Sequence, residues 1–228
     1  MNVPLPAVLA IDGPAGSGKS TVAKALARRL GLAYLDTGAM YRAVTASVLR
    51  AGLDPHGEGV AALARRCELE LSADRVLVDG ADVTEQIRGP EVTAAVSAVS
   101  ANAEVRAELV TRQRNWILQQ GPSVVEGRDI GTVVAPEARL KVHLTASAEA
   151  RASRRVAEGT VGGDQAGVAA ALARRDVADA TRATAPLSVA ADAVVVDTTH
   201  LGIEQVVEQL ATLWCQRGGL APSTVRTP

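Results

Sequence analysis

The sequence predicts an α/β protein: a doubly wound parallel sheet of five strands carrying a small α+β insertion. Three observations support this. Residues Gly13-Pro14-Ala15-Gly16-Ser17-Gly18-Lys19-Ser20 form a glycine-rich turn between a short apolar strand and a helix. Apolar strand-like runs then alternate with longer helical stretches, the pattern of parallel βαβ units. One stretch, residues 68 to about 84, departs from this pattern and alternates apolar and polar residues, as half-exposed strands do.

The elements follow in order. Residues 6–12 read as a buried strand, and Ser20 to Leu30 as a helix with Val22, Leu26 and Leu30 on one stripe. Leu32 to Asp36 is the second strand. Thr37-Gly38 is expected to turn into a helix from Ala39 to about Ala51. The glycine-rich segment from Gly52 to Gly59 ends that helix, and Val60 to Cys67 forms another. Glu68 to Leu71 and Arg75 to Asp79 pair as an antiparallel unit, with turns at Ser72 to Asp74 and at Asp79-Gly80. A helical turn at Thr84 to Arg88 leads past Gly89-Pro90 into helices over Glu91 to Ser100 and Ala103 to Gln120. The sheet resumes with Ser123 to Glu126, Leu140 to Thr145 and Ala193 to Asp197. The intervening helices are Ala148 to Arg155, about Gln165 to Ala180, and Leu201 to Cys215. The segment Glu158 to Asp164 reads as mobile, and the tail from Arg217 as frayed.

Composition narrows the function classes. The chain has 228 residues, 47% hydrophobic, with no Phe and only 2% aromatic, so aliphatic residues and Ala must fill the core. A net charge of −1 gives no global field toward nucleic acid or a membrane surface. The cations are 21 Arg against three Lys (Lys19, Lys24, Lys141), which weakens any single Arg as a signal of function. Cys67 and Cys215 have no metal-type spacing and suit reduced thiols in a cytoplasmic protein. The N-terminus lacks the basic region of a signal peptide, and no apolar run approaches a membrane span. His56, His143 and His200 show no metal spacing. Trp116 and Trp214 are expected to pack into the core.

The glycine turn matches the phosphate-binding P-loop, G-x-x-x-x-G-K-[ST], and both flanks are of the right type. Its backbone N–H groups and the following helix N-terminus would converge on a nucleotide phosphate. Gly13 to Thr21 are therefore ATP-binding candidates. Lys19 would sit on the β/γ-phosphates and the Ser20 hydroxyl on Mg²⁺. A P-loop alone leaves open a kinase, a hydrolase or nucleotide switch, and a nucleic-acid motor. A motor would want a basic groove, which is not visible. The N-K-x-D type of base-reading motif of GTPases is absent. Arg128, just after the third sheet strand, suggests a second anion near the first.

Further segments carry a more specific resemblance. They are Asp36 to Arg42, Asp79 to Thr84, Ile87-Arg88, Val105-Arg106, Gln113-Arg114, Glu126 to Val134, Arg151 to Arg155, Arg175-Asp176, and Asp179, Arg182 and Ala185 to Leu187. In this order and spacing the chain resembles the bacterial cytidylate kinases, within the nucleoside monophosphate kinase family of P-loop proteins, over about residues 7 to 212. The resemblance implies the P-loop nucleoside monophosphate kinase fold with a lid, and transfer of the γ-phosphate of ATP to CMP or dCMP with Mg²⁺. Thr37 stands where the family usually has Ser, and Val189 replaces a frequent Pro.

The resemblance also implies roles. Lys19, Arg128 and Arg182 are the catalytic candidates. Arg42, Arg128 and Arg182 would hold the acceptor phosphate, and Asp129 with Arg106 and Ser97 would read cytosine. Thr37 and Tyr41 complete the CMP side. Arg175 and Asp179 would meet the sugar, although the same residues also suit a salt-bridged helix face. Arg154 and Arg155, with Arg151, would swing onto the ATP phosphates as lid residues. Asp36 is either a helix N-cap or a group near Mg²⁺, and the cap is favoured.

The expected organisation is a core of residues 1–36 and 121–216 with the lid at about 151–165. An acceptor-binding unit spans 37–120, and a tail spans 217–228. ATP and CMP or dCMP are the expected partners of a cytoplasmic monomer, without nucleic acid polymer or membrane. The alternatives are a P-loop hydrolase or nucleotide switch, and a kinase for another small acceptor.

Overall fold

The computed structural model describes residues 4–158, 165–182 and 184–219. The chain runs β1 (Val8–Asp12), α1 (Lys19–Leu30), β2 (Ala33–Asp36), α2 (Thr37–Arg50), α3 (Gly59–Arg66), β3 (Leu69–Leu71), β4 (Val76–Val78) and β5 (Ala81–Asp82). A 3₁₀ turn (Gln86–Arg88) leads to α4 (Pro90–Ala101), α5 (Ala103–Gln120) and β6 (Ser123–Gly127). A π turn (Ile130–Val134) then precedes β7 (Leu140–Thr145), α6 (Ala148–Ala157), α7 (Gln165–Thr181), β8 (Val194–Asp197) and α8 (Ile203–Gln216).

The main sheet has the order β2-β6-β1-β7-β8, and every pairing is parallel. Parallel strands must be buried on both faces, and β1 shows how. Leu9 and Ile11 join Val22, Leu26, Leu30, Leu210 and Trp214 beneath α1 and α8. Val8 and Ala10 point the other way, into a core with Leu35, Val44, Val125, Leu109 and Ile117 beneath α2 and α5. Both cores are aliphatic, as the absence of Phe requires. Trp214 lies within the first, and Trp116 packs partly buried against the second.

Local signals place the helices. Gly31 closes α1 in the left-handed region at φ 66°. Asp36 caps α2, its Oδ1 accepting from the Ala39 N–H at 2.9 Å. The expected Thr37-Gly38 turn is corrected here. Asp36 ends the strand and caps the helix at once, so α2 begins at Thr37 with no residues between. The expected antiparallel insertion forms as β3-β4-β5. Its tight turn sets Asp79 and Gly80 at φ 51° and 76°, the two left-handed residues of a hairpin that pairs Val78 with Ala81.

Of the expected lid and tail, residues 159–164 and 220–228 lie outside the described residues, as do residues 1–3 at the N-terminus. Among the described residues Cys67 is buried, Cys215 is exposed, and both are free. No described helix is long and apolar enough to cross a membrane.

Register decides where function can sit. Asp12 lies opposite Gly127 and His143, and Asp36 opposite Glu126. The carboxyl ends of the central strands therefore share one edge of the sheet, where ligands of open α/β folds bind.

Leu26 is fully buried at the centre of the α1/α8 face. Leu26→Ala should lower the unfolding free energy by about 2–5 kcal/mol in urea titration. The surface control Leu118→Ala should stay within about 0.5 kcal/mol of the parent.

Candidate active site

The P-loop takes its shape from three glycines. A Cβ on Gly13, at φ 148°, would lie 2.0 Å from the Leu144 carbonyl oxygen, so only glycine lets β1 turn there. Gly16 and Gly18 occupy φ 76° and 87°, and Gly18 leads directly into α1. Lys19 folds back along the loop. Its ammonium donates to the Pro14 carbonyl at 2.7 Å and lies 3.5 Å from Ser17 Oγ. Burial, and then the nearby Arg128, push that ammonium well below the usual lysine range, against the charges of Glu126 and Asp12.

The end of β6 is tied to the loop. Ser20 Oγ donates to Glu126 Oε2 at 3.1 Å, and the Tyr34 hydroxyl donates to Oε1 at 2.6 Å. Thr37 Oγ1 donates to the Glu126 carbonyl at 2.7 Å. Burial, helped by the charge of Asp36, lifts the Glu126 carboxyl to about 7. Asp12 performs a separate task. Its two carboxylate oxygens accept the N–H groups of Ile130 and Gly131, each at 2.8 Å, and so fix the chain just after Arg128 and Asp129. Burial raises Asp12 to about 6 even though both hydrogen bonds pull it down.

A crowd of arginines faces the loop. Arg128 donates from Nε to Asp179 Oδ2 at 2.8 Å and from Nη1 to the Gly13 carbonyl at 2.9 Å, so it bridges α7 and the P-loop. Arg42 is anchored through Nη1 to the Ile87 carbonyl (2.8 Å) and Thr93 Oγ1 (2.9 Å). Burial, with Arg155 beside it, lowers Arg42 to about 10. Burial and the charges of Arg128 and Arg42 lower Arg175 to about 9. Burial opposes the charge of Asp179, but Arg128 and Arg175 outweigh it and hold its carboxyl below the usual range.

Beyond this crowd lies a second buried pair. Arg106 is clasped to Asp129 Oδ2, and its guanidinium lies over the Tyr41 ring, 5.5 Å from the centroid. Arg182 Nη2 is 3.6 Å from Asp129 Oδ1. Arg106 Nε has no hydrogen-bond partner there. This buried cluster combines a carboxylate with guanidinium N–H groups, the donor and acceptor types needed to read a polar edge.

The candidate lid arginines divide. Arg154 donates to Thr198 Oγ1 (3.0 Å) and the Thr198 carbonyl (2.6 Å), and lies 3.7 Å from where a Cβ on Gly18 would be. Arg151 pairs with Asp176 and reaches the Ala15 carbonyl at 3.3 Å. Arg155 pairs with Glu158 at 2.7 Å toward the surface.

Most sequence candidates thus lie in one cluster of contacts: the P-loop, Lys19, Arg42, Arg128, Arg175, Asp179 and Arg182, with Tyr41, Arg106 and Asp129 beside them. Ser97 is half-buried on α4, and among the described residues its hydroxyl makes no hydrogen bond to Arg106 or Asp129. Asp36 takes the cap role that was favoured. Asp179 pairs along α7 with Arg175 at 4.0 Å, as the helix-face alternative has it, and also across the site with Arg128. Asp12, Tyr34 and Thr198 escaped the sequence reading. A carboxylate ending a fully buried strand was the one local signal for Asp12.

A glycine loop at a strand–helix junction, faced by crowded arginines at the carboxyl edge of a parallel sheet, defines a P-loop kinase. The chain belongs to the cytidylate kinase family, whose model matches residues 9–216. A cytidylate kinase of Mycobacterium avium (strain 104) is 52% identical over 222 residues, covering 94% of this chain and 97% of the relative. One of Rhodococcus opacus (strain B4) is 50% identical, covering 93% and 96%. The crystal structure of an uncharacterized protein from Eubacterium ventriosum ATCC 27560 shares the fold alone. It has a TM-score of 0.51 and 10% identity, and the match covers 91% of this chain and 97% of that one.

Asp12 makes stability depend on pH. Its folded value of about 6 exceeds the ordinary unfolded value near 4. Between those values the folded chain keeps a proton that the unfolded chain has released, so its contribution falls as pH rises from about 4 to 6 and is flat above. Urea titrations at about pH 4.5 and 7.5 should show the parent losing about 2 kcal/mol more across that interval than Asp12→Asn. Equal slopes would show that Asp12 does not titrate there.

Proposed function

We propose that this chain transfers the γ-phosphoryl group of ATP to CMP or dCMP, giving ADP and CDP or dCDP. One observation carries the reading. Arg128 touches the P-loop and α7 together, with Arg42, Arg175 and Arg182 around it, so the cations lie between a donor site and a second anion site.

The chemistry follows from charge. A nucleoside monophosphate has its second pKa near ~6 and is mostly a dianion at neutral pH. Its oxygen needs no base to attack the γ-phosphorus. The new P–O bond forms there as the bond to the β–γ bridging oxygen breaks, and ADP leaves. What opposes the step is repulsion between two anions. Lys19, Arg128 and Arg182 are the proposed catalytic groups, cancelling that repulsion while the P-loop orients the donor. The donor phosphates supply negative charge that favours the Lys19 ammonium against the cost of its burial. Arg154 sits beside the loop for the donor, and Arg155 belongs to the same helix.

The donor set at Ser20 and Glu126 is all oxygen, a hydroxyl against a carboxylate 3.1 Å away, which suits Mg²⁺ shared with nucleotide phosphates. When bound there, the ion supplies charge neutralisation at the β- and γ-phosphates. Ser20 and Glu126 are the residues that would hold it.

For the acceptor, Asp129 takes a hydrogen bond from the N4 amino group of cytosine, and Arg106 donates to its ring acceptors. Uracil would turn a carbonyl toward the Asp129 carboxylate, so rejection comes from repulsion as well as from a lost bond. Thr37 and Tyr41 on α2 and Ser97 on α4 complete the proposed CMP side. Arg175 and Asp179 take the sugar side. The core is assigned to residues 1–36 and 121–216 with a lid at about 151–165, and the acceptor-binding unit to 37–120. A cytoplasmic monomer is the proposed form.

Coupled measurement of ADP release over CMP, dCMP, UMP, AMP and GMP should show turnover that depends on a cytidine monophosphate. Preference for UMP or AMP over both cytidine nucleotides would refute the specificity, and equal ADP release without any acceptor would indicate a hydrolase. Arg128→Ala should lower kcat by about 10²-fold or more while ATP affinity holds within about threefold. A parallel fall in ATP affinity would move Arg128 to the donor site.

A further inference from the structure

We propose that Tyr34 is a positioning residue, whose phenol fixes the Glu126 carboxylate so that its second oxygen is presented to Ser20. The inference rests on the reading of Ser20 and Glu126 as the metal-side groups and extends it to a residue outside the P-loop.

The placement follows from strand register. Tyr34 on β2 lies opposite Val124 on β6, so Glu126, two residues on, is its diagonal neighbour on the same face. The hydroxyl spans that diagonal and meets Oε1 at 2.6 Å, while Oε2 is left to the Ser20 hydroxyl at 3.1 Å. Burial and the adjacent Glu126 charge hold the phenol well above its ordinary range, so it stays a donor. Lys24 lies over the ring, its ammonium 5.7 Å from the ring centroid and 3.6 Å from Asp74 on the insertion. A carboxylate with one oxygen committed loses rotational freedom about its last torsion. Its second oxygen, which accepts from Ser20, is then held toward the first turn of α1. Remove the phenol and the carboxylate remains, buried, with its orientation unspecified.

The test is calorimetric binding of a non-hydrolysable ATP analogue to the full chain at graded Mg²⁺, comparing the parent with Tyr34→Phe. The variant keeps the ring and its contact with Lys24. The Mg²⁺ concentration at half-effect should rise about tenfold, the usual cost of removing a partner that orients a ligand. Affinity for the metal-free analogue should hold within about twofold, which also confirms that the variant is folded. In a Glu126→Gln background, Tyr34→Phe should add nothing further to the Mg²⁺ requirement. An unchanged requirement in the single variant would overturn the proposal. So would weakening of both nucleotide forms in proportion, or full additivity with Glu126→Gln. No monophosphate is present in the experiment, so its outcome is independent of which acceptor the enzyme uses.

Discussion

Electrostatic repulsion governs this molecule. Its site gathers Lys19, Arg42, Arg128, Arg175 and Arg182 into a space where burial already penalises each charge, and only a few carboxylates stand against them. The consequences are visible in the pairings. Asp179 holds Arg128 and faces Arg175, while Asp129 holds Arg106 and faces Arg182. Each carboxylate occupies part of a guanidinium fork that a phosphate or a base edge can also engage. The folded chain thus maintains an excess of positive charge in low dielectric, and two mutually repelling phosphates are what such an excess is suited to receive.

Holding such a cluster requires a scaffold that does not yield. Parallel register brings the ends of β1, β2 and β6 to one edge, but register alone does not orient Arg128 or Asp129. Asp12 does so, by accepting two backbone N–H groups beyond them. The N–H groups of a tight π turn need acceptors, and a strand-end carboxylate with two oxygens serves both. Thr198 plays the matching part on the other side. Its hydroxyl lies within 3.1 Å of the Ser17 and Thr145 carbonyls and receives Arg154, which joins β7, the P-loop and α6.

Local chemistry was legible where it is local. Glycine spacing with its strand and helix flanks revealed the P-loop, two-residue alternation revealed the β3-β5 insertion, and an Asp before an apolar run revealed the cap on α2. Strand order was not legible, because β6 inserts between β1 and β2 from about 90 residues away. The Arg128–Asp179 pair and the Tyr34–Glu126–Ser20 chain share that limit. A Tyr in a strand has a sufficient explanation in packing, and nothing periodic links residue 34 to 126. Even so, the candidate arginines could be singled out, because the order and spacing of whole segments carry information that single residues in an arginine-rich chain do not.

That arginine bias has a physical counterpart in the site. Burial and like-charge neighbours bring Arg175 down to about 9 and Arg42 to about 10, and both remain protonated at neutral pH. An ammonium begins lower, and Lys19 shows what the same pressures do to one. A lysine in place of Arg175 would start from a lower value under the same burial and like-charge neighbours, and so hold its charge less firmly. Among basic side chains the guanidinium is the one that holds its charge in that company.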